Sequence, residues 1–71
     1  MSKLKEMREK SGLSQRKLAD ASGVNFRMLQ YYEQGANDIN EAAAKTVYRL
    51  AQALDCRMED IMETDRLSDA L

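Results

Sequence analysis

Phe26, Arg27, Gln30 and Tyr31 stand at positions that a 3.6-residue period gathers on one face of a short helix, with Met28, Leu29 and Tyr32 on the opposite, inward face. Their types suit recognition: a planar guanidinium and a primary amide make directional, paired hydrogen bonds, and aromatic rings offer flat apolar contact. Bond-making chemistry is poorly supplied. There is no histidine, a single cysteine (Cys56), no nucleophile paired with a base and no glycine-rich phosphate loop. An enzyme, a His/Cys metal site, a cofactor and a small-molecule ligand are therefore not expected. A chain of 71 residues also has little core to give up to a deep cleft, since a domain this small buries only about 60% of its unfolded surface.

The net charge of −1 hides an asymmetry. Residues 1–30 hold seven basic side chains (Lys3, Lys5, Arg8, Lys10, Arg16, Lys17, Arg27) against three acidic ones, whereas residues 31–71 hold four basic against nine acidic. The halves carry +4 and −5, which allows a basic face and an acidic back despite a pI near 5.3. One cysteine forms no disulfide within the chain, no apolar run reaches the roughly 20 residues needed to cross a bilayer, and residues 1–10 carry charges where a signal peptide needs apolar residues. A cytoplasmic protein that avoids membranes is expected.

These side chains must be positioned by helices, because the chain has no proline or repeat and its three glycines fall where helices would stop. A first helix is expected over residues 3–10, closed by Gly12. Ser14 caps a second over residues 15–22, with Leu18, Ala19 and Ser22 inward and Lys17 where a capping-box acid would stand. Gly23 and Val24 break the chain, and Asn25 caps a third helix ending at Gly35. The stripe Ala43, Val47, Leu50, Ala51, Leu54 predicts a longer fourth helix over residues 40–54. A short fifth is expected at residues 58–62, with Met58, Ile61 and Met62 inward, and a polar, poorly ordered tail at residues 64–71. Residues 1–63 would thus form one all-α, compact five-helix bundle, with Cys56 a small buried hydrophobe in its last loop.

The segment from Leu13 to Gly35, with Leu-Ser-Gln at 13–15, Leu-Ala at 18–19, Gly-Val at 23–24, Leu29 and Glu-x-Gly at 33–35, resembles the helix-turn-helix of the Cro/phage-repressor (XRE-type) family of transcriptional regulators. The likeness covers about residues 3–62 and implies a lambda-repressor-like domain that binds double-stranded DNA. It implies that the second helix of the motif enters the major groove, with Phe26, Arg27, Gln30 and Tyr31 at base edges. Arg27 would pair with guanine O6 and N7, Gln30 with adenine or a phosphate, Phe26 with a thymine methyl, and Tyr31 with a methyl or a phosphate. Gln15 would meet a phosphate at a helix N-terminus, with Arg16, Lys17, Asn25 and Gln34 as further backbone contacts. Arg8 and Glu33 resemble the family's structural ion pair, and Tyr32 is expected in the core.

The sequence departs from the family after Gly35, where residues 36–44 lack the usual proline and run about one helical turn long. Asp55 stands where glycine is usual and Arg57 where a Ser or Thr cap is expected. The resemblance implies a sequence-specific regulator, a repressor, acting as a homodimer on half-sites about 10 bp apart. The competing reading is a protein-binding module, antitoxin-like or accessory to a mobile element, for which the acidic second half speaks.

Overall fold

The computed structural model describes residues 2–63, so the expected tail at residues 64–71 lies outside the described residues. Three α-helices follow one another closely: α1 (Lys3–Lys10), α2 (Gln15–Ser22) and α3 (Phe26–Gln34). Each is capped by the side chain just before it. Ser2 accepts from the Lys5 N–H, Ser14 from Lys17 and Asn25 from Met28, at 3.0–3.1 Å, a device worth about 1 kcal/mol per helix. Gly23 (φ +74°) ends α2 in the left-handed region, and its N–H donates to the Ala19 carbonyl. A side chain there would meet no neighbour within 4 Å, so what glycine supplies is conformational freedom.

The second half differs from expectation. The fourth helix, α4 (Ala44–Ala53), begins four residues later than residue 40, and a 3-10 turn, Ile39–Glu41, precedes it. Two ties hold that turn. Asp38 accepts the Asn40 N–H at 2.9 Å. The Asn40 side chain both donates to the Glu63 carbonyl (3.0 Å) and accepts the Glu63 N–H (2.9 Å). With Ile39 buried and Asn40 bound to the far end of the described chain, Ala42 and Ala43 are extended (ψ 154° and 140°), and helical propagation starts only after them. The turn takes up the extra length after Gly35.

The expected fifth helix is likewise a single 3-10 turn, Met58–Asp60, with Met58 only partly buried. The described residues form four α-helices and two 3-10 turns, with no strand; the bundle is all-α, but it is not five-helical. Asp55, standing where glycine is usual, adopts φ 54°; Arg57 gives the last turn no side-chain cap, and the Asp60 carboxylate instead accepts Arg57's own N–H at 2.9 Å.

One apolar core joins every element: Leu4, Leu18, Ala19, Leu29, Tyr32, Ile39, Val47, Leu50, Ala51, Leu54 and Ile61. Buried leucines of this kind carry about 2–5 kcal/mol each when truncated to alanine. Tyr32 is inward as expected, and Ala19 allows α2 to pack on its neighbours without a bulky side chain between them. Met28 is not inward: it is 37% exposed and its sulfur accepts from the Asn37 amide at 3.8 Å. Leu29, Tyr32 and Glu33 fill the buried side of α3, and Met28 falls on a flank turned away from them. Cys56 is half-buried against the core, and burial, reinforced by Asp60 and Asp55, pushes its thiol pKa up. Among the described residues no helix is long and apolar enough to cross a membrane.

Candidate nucleic-acid interface

The turn between α2 and α3 is short because Gly23 reverses the chain and Ser22 braces it: the Ser22 hydroxyl accepts the Val24 N–H at 3.2 Å. The helices are thereby packed with the first turn of α2 beside α3. Arg16 and Lys17 are exposed there, while Arg27, Tyr31 and Gln34 are exposed along α3. The two sets supply cationic and neutral donors, with Asp20 the one exposed acidic side chain on α2.

Phe26 is not simply an outward ring. It is half-buried against the core, and the Arg16 guanidinium stacks over it, 4.0 Å from the ring centroid. Such a cation–π contact is worth about 0.5–1 kcal/mol at an exposed site. It narrows the positions open to Arg16 while leaving the edge of the guanidinium free to donate. Asn25 is exposed, with Oδ1 occupied as the α3 cap.

Beneath this face lies a polar junction that ties three helices together. Arg8 of α1 donates to the Glu33 carboxylate twice, from Nε to Oε2 at 2.7 Å and from Nη2 to Oε1 at 3.0 Å, and its Nη1 donates to the Leu13 carbonyl at 2.8 Å. The two side chains are 12% and 2% exposed. The hydrogen bond to Glu33 raises the Arg8 pKa above its ordinary value, against the opposing effect of burial. Gln15 joins the pair, donating from Nε2 to Glu33 Oε1 at 3.1 Å, and its own Oε1 accepts from Gln30 Nε2 at 3.4 Å.

Sequence reasoning paired Arg8 with Glu33, as found, but treated Gln15 and Gln30 as separate surface groups and missed that they join the pair. A signal was present. Gln30 and Glu33 are three apart, so they share a flank of α3, and that flank faces the first turn of α2, where Gln15 sits. The structure thus brings together Gln15, Gln30, Arg8 and Glu33, stacks Arg16 on Phe26, and leaves Lys17, Arg27, Tyr31 and Gln34 exposed. Among the described residues no group of three or more His, Cys, Asp or Glu is placed to hold a metal ion.

A family model described as helix-turn-helix matches residues 4–61, which is most of the chain and spans every element above except Lys3, the first residue of α1. No curated protein and no solved structure matches it. The two short helices joined at Gly23, the α1–α3 ion pair beneath them and this match lead to one assignment: the chain belongs to the Cro/phage-repressor, XRE-type, helix-turn-helix family of DNA-binding regulators.

Proposed function

We propose that the chain is a sequence-specific transcriptional repressor that reads the major groove of double-stranded DNA with α3 and acts as a homodimer. The reading is carried by one observation: Arg27, Tyr31 and Gln34 on α3 and Arg16 and Lys17 on α2 are all exposed, leaving three cations and two neutral donors on the two helices of the motif against the single exposed carboxylate of Asp20, in a chain whose net charge is negative. Arg27 reads guanine through O6 and N7, Gln30 reads adenine, and Phe26 and Tyr31 contact thymine methyls or, for Tyr31, a phosphate. Gln15, Arg16, Lys17, Asn25 and Gln34 hold the DNA backbone, which sets register without reading sequence. Two copies of so small a reader place α3 in successive major grooves, about 10 bp apart.

Selection from random duplexes at two salt concentrations tests this. A pseudo-palindromic site is expected to be enriched, with affinity falling as salt rises. Arg27→Ala costs about 1–3 kcal/mol of binding and relaxes one base position, whereas Lys17→Ala weakens binding to all sequences alike. Failure to enrich any sequence at low salt, with capture of one stoichiometric protein partner, would instead support a protein-binding module working through the acidic second half.

A further inference from the structure

Glu33 governs more than the packing of α1 on α3. With Arg8 donating to both of its oxygens, the carboxylate offers acceptors only, and an amide brought to it must come NH2 first. Gln15 does so, with Nε2 at 3.1 Å. Its carbonyl oxygen is thereby turned towards α3, where Gln30 meets it with Nε2 at 3.4 Å. Each orientation follows from the one before. Turning Gln15 over would set its oxygen against the carboxylate, and turning Gln30 over would oppose two carbonyl oxygens. The constraint starts at a carboxylate side chain only 2% exposed and ends on a half-buried glutamine at the edge of the exposed face.

We propose that Gln15 is a positioning residue for base recognition: it passes the acceptor character of Glu33 on to Gln30, so that Gln30 keeps Oε1 and one N–H for the groove and selects adenine. This rests on the reading of α3 as a major-groove reader. Adenine presents the N6 donor beside the N7 acceptor, the complement of that amide edge, whereas guanine presents two acceptors, O6 and N7. A free glutamine can turn both N–H groups towards guanine. A glutamine with one N–H already held by Gln15 cannot. The selectivity arises from the constraint as much as from the side chain.

The test uses duplexes that differ only at the base pair whose preference disappears in Gln30→Ala. Wild-type protein is expected to prefer adenine to guanine there about tenfold, and Gln15→Met to reduce that to below about threefold while the preferences at other positions stand. A uniform loss of affinity across all duplexes accompanies this, because the second N–H of Gln15 serves a phosphate. In a Gln30→Ala background, Gln15→Met removes no further base preference. Gln15→Ala repeats the pattern without the bulk of methionine, and thermal melting confirms that both variants fold. In the DNA-free protein the side-chain amide resonances of Gln30 shift in both variants towards those of a solvated glutamine.

An adenine preference that survives both Gln15 variants, a wild-type preference for guanine at that position, or Gln30 resonances indifferent to Gln15 would overturn the inference alone. A wild-type protein with no base preference anywhere would overturn the groove-reading proposal together with it, so the two failures are told apart.

Discussion

Two arginines show how differently the halves of the molecule are built. Arg8 and Glu33 are almost enclosed, meet through two hydrogen bonds and carry Gln15 with them. Arg57 lies 3.8 Å from both Glu59 and Asp60 with its side chain 74% exposed. A charge taken out of water must be matched by its partner or it destabilises the fold, while a pair left in water adds little. The amino-terminal half is thus organised around a polar junction that fixes three helices and orients side chains at its surface. The carboxyl-terminal half is held by the apolar stripe of α4 and by backbone ties at Asn40 and Asp60.

The largest expected effect breaks the first region. Arg8→Ala leaves the Glu33 carboxylate buried without its cation, at a cost of about 3–5 kcal/mol, read as a lowered midpoint in urea unfolding. The double variant Arg8→Met with Glu33→Leu removes both charges and is expected to recover much of that loss. A double variant as unstable as the single one would show that the pair is not the source of the effect.

A smaller change sharpens the contrast from the other side. Asp55 holds a left-handed backbone (φ 54°) that costs an L-residue of the order of 1 kcal/mol and glycine little. Asp55→Gly is therefore expected to raise stability by up to about 1 kcal/mol, measured in the same unfolding experiment, and a loss would mean that the Asp55 side chain matters in ways its backbone does not show. Smallest of all, Arg57→Ala should change stability by no more than about 0.5 kcal/mol; a cost near that of Arg8→Ala would erase the distinction between the halves.

The same division separates what was legible in the sequence from what was not. The caps Ser14 and Asn25, the reversal at Gly23 and the inward Leu18, Leu29 and Tyr32 could be read directly, because each is decided within a few residues of chain. The start of α4 could not. It depends on Ile39 reaching the core and on Asn40 binding Glu63, 23 residues away, and helical periodicity carries no trace of such a tie. The final turn was overextended for a similar reason: Met58, Ile61 and Met62 have helical spacing, yet Ile61 alone is fully buried.

On the α2–α3 face the exposure of Arg16, Lys17, Arg27, Tyr31 and Gln34 was legible and the relations between side chains were not. Phe26 was taken as outward, but the crossing of α2 and α3 half-buries it and sets Arg16 over its ring. Gln15 and Gln30 looked independent at a separation of 15 residues, and only that crossing makes them neighbours.

The central claim is that the α2–α3 face of the amino-terminal half meets DNA. Backbone amide chemical shifts, followed by NMR as a selected duplex is titrated into the ¹⁵N-labelled chain, test it most directly. The largest changes are expected at residues 15–17 and 25–34, with residues 44–60 nearly still away from any dimer contact. Changes centred on α4, with α3 unmoved, would contradict the account.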